Sequence, residues 1–139
     1  MKQCFGELIT NTKGRGLYDI TPQIISWVGN QKIQDGLLTM LIQHTSASLL
    51  VNENYDSDVQ RDLESFFSRL VKDGDSLFTH SIEGDDDMPA HVRTALTQTN
   101  LSIPTKNRSM LLGQWQGIYI FEHRYNNFER KVKIHLIGE

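Results

Sequence analysis

Cysteine is almost missing from this chain. A single Cys4 among 139 residues cannot pair within the chain, and no Cys-x-x-Cys spacing offers a redox or zinc motif. Cys4 falls in an expected first strand, which suits a reducing, cytoplasmic setting. No apolar run approaches the roughly 20 residues that cross a bilayer, so no membrane association is expected. The opening MKQCFGELIT lacks the apolar segment of a signal peptide, and export is not expected. Charge of one sign is also lacking. A formal net charge of -3 argues against a general nucleic-acid binder. There are no internal repeats. What remains is a chain of single-domain length, 1–139, with aliphatic and aromatic residues spread along it.

Residues 3–10 and 16–20 read as strands, separated by the turn-rich Asn11-Thr12-Lys13-Gly14. Thr21-Pro22 reads as N-cap and first helical position, with Ile24, Ile25 and Val28 facing inward. Residues 36–43 are apolar on both faces, as in a central strand, and 49–51 resume extended structure. From Asp56 to Leu70, Val59, Leu63, Phe66, Phe67 and Leu70 form one helical stripe, with Ser57 and Gln60 as a possible capping box. A loop of about fifteen residues follows, long enough to suggest function. Met88-Pro89 opens another helix, with Val92, Ala95 and Leu96 on its inward face. Strands are expected at 99–104, 108–113, 116–123 and 129–137. The pattern is α+β, mostly antiparallel, with inserted helices.

Three polar clusters stand where apolar residues would be expected. The first, residues 44–54, follows the apolar strand. His44 continues the face of Leu38, Met40 and Ile42, either as a hydrogen-bonded core residue or as a ligand. Ser46 and Ser48 suit either a phosphate cradle or an ordinary turn. Asn52, Glu53 and Asn54 add polar groups ahead of a helix.

In the second, residues 83–91, Glu83, Asp85, Asp86 and Asp87 are four carboxylates in five residues. They remain solvated or meet a cation. His91 lies in the first turn of the next helix, where the positive dipole end favours the neutral imidazole that a metal requires.

The third, residues 113–124, is a strand with two apolar faces that delivers Glu122, His123 and Arg124 to one edge. Arg124 suits a phosphate clamp or an ion pair with a carboxylate. No two histidines are close enough for a local motif such as HExxH, so a site of His44, His91 and His123 must be assembled by the fold. His135 alternates with the inward Val132, Ile134 and Leu136 and is expected to face solvent. His80, in the long loop, is left open.

The same clusters carry a family resemblance. Gln43-His44-Thr45-Ser46-Ala47-Ser48-Leu49 with Asn52-Glu53-Asn54, Glu83-Gly84 with Asp86-Asp87-Met88-Pro89 and His91, and Gly113 with Trp115-Gln116-Gly117 and Glu122-His123-Arg124 resemble the YjbQ-like pattern in order and spacing. The resemblance covers essentially the whole chain. It implies a compact β-sandwich of mostly antiparallel strands with inserted helices, a homotrimer, and a metal-containing pocket built from His44, His91 and His123. It also implies a weak, secondary thiamine-phosphate synthase activity, in which a pyrimidine diphosphate and a thiazole phosphate join with loss of pyrophosphate. Glu83, Asp86, Asp87 and Glu122 are then candidates for catalysis or a hard cation. Ser46, Ser48, Asn52 and Arg124 are candidates for holding phosphate.

Histidines suit zinc better than magnesium, so a His-rich pocket fits a magnesium–diphosphate reaction poorly. Two further functions therefore stand beside the synthase. One is a zinc-dependent hydrolase or phosphoesterase, with Glu83 or Asp87 as general base. The other is a non-enzymatic trimer that binds a small phosphorylated ligand or a metal.

Overall fold

A computed structural model describes residues 1–139. Eight strands and three helices follow in the order β1 (Lys2–Lys13), β2 (Gly16–Asp19), α1 (Thr21–Gly29), β3 (Gly36–Ile42), β4 (Ala47–Glu53), α2 (Ser57–Leu70), α3 (Asp87–Leu96), β5 (Asn100–Lys106), β6 (Ser109–Met110), β7 (Gln116–Glu122) and β8 (Asn127–Gly138). A five-stranded sheet has the order β1-β8-β3-β5-β6 and a three-stranded sheet the order β2-β7-β4. All strand pairs are antiparallel. The fold is α+β, as the strand-rich pattern with intervening helical periods indicates. No helix is long and apolar enough to cross a membrane.

Period-two alternation builds the core. Leu38, Met40 and Ile42 of β3 and Val132, Ile134 and Leu136 of β8 turn inward. They meet Leu49 of β4, Ile118 and Ile120 of β7, and Ile24 and Val28 of α1 in one buried cluster. The outward positions of β3 are not covered. Leu37 and Leu41 are exposed, so this strand is central in pairing but buried on one face only. His135 lies on the same outer face and stacks on Phe5.

β7 is buried along both faces, as its composition predicts. Ile118 and Ile120 enter the core between the sheets. On the opposite face, Phe121 meets the edge of Phe67 from α2 and the guanidinium of Arg93 from α3. The middle strand of the small sheet is thus enclosed on both sides, and its C-terminal end carries Glu122, His123 and Arg124 into the interior.

Several local expectations are corrected. Asn11 to Lys13 form no turn; they continue β1 and pair with Glu129, Phe128 and Asn127. Thr21 is the first residue of α1 rather than its cap, and its hydroxyl accepts the Ile118 N–H at 2.8 Å. α2 is capped by Asp56, which accepts the Asp58 N–H, so no Ser57–Gln60 box forms. The apolar stripe of α2 leans inward through Val59, Leu63 and Phe67, which are half-buried, while Phe66 and Leu70 remain exposed. On α3, Ala90, Arg93 and Thr94 face inward, and Ala95 and Leu96 face out. The reason is chemical: Arg93 is buried because Glu64 and His123 await it there.

Candidate functional site

The three sequence clusters converge, but through different atoms from those expected. The last strand turn places Arg124 under the acidic loop. Its Nε donates to Asp86 at 3.0 Å, its Nη1 to Asp87 at 2.5 Å and its Nη2 to the Glu83 carbonyl at 2.9 Å. Arg124 therefore anchors its own carboxylates and is not available as a phosphate clamp. Asp86 also accepts the Tyr125 N–H at 3.0 Å. Burial pushes the Asp86 carboxyl up, but the Tyr125 N–H and Arg124 outweigh it and hold the group below its usual range. A carboxylate so engaged is a poor general base.

Asp87 is fixed at the start of α3, where the helix N-terminus favours its charge. One of its oxygens is held by Arg124. The other accepts from His80 Nε2 at 2.7 Å and lies 3.3 Å from His91 Nε2. Asp87 and His91 are four residues apart on one helical face. His80 comes from the long loop, which Arg15 fastens through Asp73 at 2.6 Å and Gly74 fastens through the Asp85 carbonyl. Each of His80, Asp87 and His91 offers a ligand atom within 4.8 Å of the others, and this is the one such group in the chain.

The tautomers are informative. His91 Nδ1–H donates to the Thr45 carbonyl at 2.8 Å, which leaves Nε2 of the neutral ring an acceptor. That acceptor faces a carboxylate oxygen, so two lone pairs meet with no proton between them unless the ring is charged. A proton on Nε2, which makes an ion pair with Asp87, or a bound cation satisfies both. The supporting contacts also match a metal site: Thr45 fixes the His91 ring and Arg124 fixes Asp87. Two imidazoles and one carboxylate form a donor set that suits zinc and leaves coordination positions open. Asp87 is buried, while His80 and His91 retain solvent access.

His44, His91 and His123 are not brought together. His44 Nε2 accepts the Lys131 N–H at 2.8 Å. Burial and the charges of Arg130 and Lys131 favour its neutral form, against the pull of Glu122. His123 is fully buried with both nitrogens engaged: Arg93 Nε–H donates to Nδ1 at 3.1 Å, so Nε2–H donates to Ser48 Oγ at 2.9 Å. The pair resembles a serine–histidine dyad, but a ring nitrogen that already carries its proton cannot take one from serine. His123 is neither ligand nor base, and Ser48 is neither nucleophile nor exposed phosphate donor.

Burial first, then Arg93, Arg15 and Arg130, push His123 down to about 2. The unfolded chain, with an ordinary histidine near 6.5, binds the extra proton between those values. Acidification below pH 6.5 should therefore lower stability by about 1.4 kcal/mol per pH unit from this group. Nitrogen-15 spectra should show one neutral Nε2–H tautomer from pH 7.5 to 5; an imidazolium signal in that range would refute the assignment.

The remaining candidates, Glu83 apart, are structural. Glu122 is completely buried. It accepts two bonds from Arg130, at 2.7 and 2.5 Å, one from the Thr12 hydroxyl, and the N–H groups of His123 and Arg124. With its acceptor sites filled it has no catalytic capacity. Ser46 Oγ accepts from the same Arg130 at 3.0 Å. Asn52 lies five residues along β4 from Ala47, about 16 Å away at strand rise. There its side chain accepts the Glu53 N–H. Glu83 has an exposed carboxylate outside any ion pair. Of the sequence candidates, Asp87, His91 and Glu83 retain chemical freedom. The Asp87-x-x-x-His91 spacing on a helix is the local sequence signal for this pair, whereas no local pattern singles out His80, which the loop brings in.

The family model described as UPF0047 protein YjbQ-like matches residues 7–139. The chain is 43% identical over 132 residues to the UPF0047 protein sll1880 of Synechocystis, covering 95% of this chain and 90% of that protein. It is 39% identical to the UPF0047 protein YjbQ of Escherichia coli O157:H7, covering 95% and 96%. Among solved structures, an uncharacterised conserved protein of the YjbQ/UPF0047 family from Clostridium acetobutylicum superimposes with a TM-score of 0.85 at 30% identity, over 94% of this chain and 98% of that one. A YbjQ-like protein of unknown function from Sulfolobus solfataricus gives a TM-score of 0.90 at 22% identity, over 99% of each chain, a likeness of fold.

Proposed function

The chain belongs to the UPF0047 YjbQ-like family, and from that premise we propose a metal-dependent enzyme that hydrolyses a small phosphorylated substrate at His80, Asp87 and His91, with thiamine-phosphate synthesis as a weak side reaction. The observation that carries this reading is the convergence of His80, Asp87 and His91, whose ligand atoms lie within 4.8 Å of one another, with Asp87 held by Arg124 and His91 by Thr45. Zinc fits the donors better than magnesium. A divalent cation supplies a more acidic bound water and neutralises charge on a phosphate or departing diphosphate.

The protein's own groups act around it. Thr45 and Arg124 keep His91 and Asp87 in register. Glu83, exposed beside the acidic loop, is the carboxylate available to accept a proton from water. Beside the triad no arginine fork is free for a second phosphate: Arg124 is held by Asp86 and Asp87, and Arg15, Arg93 and Arg130 are likewise paired with carboxylates. A reaction that must hold two phosphorylated substrates is poorly served by such a site, so synthesis is expected to be the weaker activity. Homotrimeric assembly is part of the proposal, supported by exposed Phe66 and Leu70 on α2 and Phe5, Leu37 and Leu41 on the large sheet. A cytoplasmic setting is supported by the unpaired Cys4.

The test compares zinc-loaded and metal-stripped protein on p-nitrophenyl phosphate, bis-p-nitrophenyl phosphate and the two thiamine precursors. Ester hydrolysis should require zinc, fall at least about 100-fold in His91→Ala, and exceed thiamine-phosphate formation. Metal binding without turnover of any of these would replace the enzyme by a binding module.

A further inference from the structure

The Asn52-Glu53-Asn54 and Trp115-Gln116-Gly117 segments lie at the opposite end of the small sheet from the triad, and nothing in the proposed reaction uses them. Asn54 and Gln116 instead border a cavity of about 310 Å³ between α1 and the β5–β6 hairpin. That volume lies at the lower end of small-molecule sites. Ile25, Val28, Met110 and Leu112 form its apolar wall. Ile25 is 57% exposed, so the wall is open to an incoming molecule.

The polar rim offers donors. Gln116 Oε1 is occupied by the Gly113 N–H at 2.7 Å, which leaves the amide NH2 to donate. Arg108 lines the cavity and is in no ion pair, whereas the arginines at 15, 61, 93, 124 and 130 all are; Arg69 on α2, also outside any ion pair, is not part of the lining.

The backbone gives a second, independent sign. Lys106 pairs with Ser109, so Asn107 and Arg108 are the two central residues of a tight hairpin, with φ of 51° and 58°. Such a turn favours Asn followed by Gly. Asn107 fits. Arg108 stands where its side chain makes the left-handed conformation unfavourable and where glycine would relieve it. An arginine kept in a glycine position, unpaired, over an apolar cavity is the kind of local strain that marks a binding function.

We propose that this cavity binds a small organic anion, an apolar body carrying a carboxylate or phosphate, with Arg108 and Gln116 receiving the charge. The proposal is independent of the metal reading. The experiment uses two-dimensional NMR titration of the full chain with phenyl phosphate, benzoate and neutral benzyl alcohol, in wild type, Arg108→Gly and His80→Ala. The anions should shift resonances of Ile25, Met110 and Gln116, and bind at least about tenfold more tightly than benzyl alcohol. Arg108→Gly should lose that tenfold preference while its thermal midpoint stays equal or rises by about 2–4 °C. His80→Ala should bind as wild type. Preference for phosphate over carboxylate, or the reverse, identifies which anion the site serves. Equal binding of benzyl alcohol and the anions, unchanged binding in Arg108→Gly, or shifts confined to His80 and His91 would overturn the proposal.

Discussion

Replacing Glu122 with glutamine should destabilise the fold by about 3–5 kcal/mol, because it leaves the Arg130 guanidinium buried without its counter-charge. Glu122 is completely buried, and both its oxygens are bonded by Arg130. Alanine should be worse still, since the His123 and Arg124 N–H groups and the Thr12 hydroxyl would lose their acceptor as well. Urea unfolding measures the loss directly. The double variant Glu122→Gln/Arg130→Met should recover a large part of it, because the uncompensated charge is gone. A Glu122→Gln protein of normal stability and reduced turnover would restore Glu122 to the catalytic set.

Zinc at 100 times its dissociation constant should stabilise the protein by about 2.7 kcal/mol, or roughly 6–10 °C in thermal midpoint for a chain of this size. The shift should vanish in His80→Ala and His91→Ala, whose ligand atoms lie within 4.8 Å of one another and of Asp87. It should persist in His44→Ala, whose ring accepts a backbone N–H from β8 instead. Arg124→Met should weaken binding by about 10–100-fold through a loosened Asp87. Acid should release the metal, since protonated imidazole has no lone pair to give. A shift lost in His44→Ala and kept in His80→Ala would return the site to the residues first expected.

The sequence made the fold legible because β-strand alternation leaves little choice. Val132, Ile134 and Leu136 can share a core only if Lys131, Lys133 and His135 face away. The site was half legible for a related reason. Polar residues at apolar positions mark either chemistry or a buried network, and both look alike until their partners are known. Glu122 finds Thr12 at 110 residues' distance, and His123 finds Arg93 at 30. Neither partnership leaves a local spacing. The stripe on α2 shows a similar limit: periodicity gives a face but not its direction. Arg93 turned inward against its own helix pattern because Glu64 and the rings of Phe67 and Phe121 form a complementary niche.

The pairing of β1 with β8 sets an order in time. Lys2 lies opposite Gly138 and Lys13 opposite Asn127, and β1 is the edge strand with β8 as its one neighbour. A ribosome making this chain releases β1 well before β8, its one partner. Through most of synthesis, a twelve-residue strand with Phe5, Leu8 and Ile9 stands unpaired. Loops of this length close slowly. The nascent chain should therefore depend on holdase chaperones more than its modest size suggests, and refolding from denaturant should be limited by the step that brings its first strand to its last.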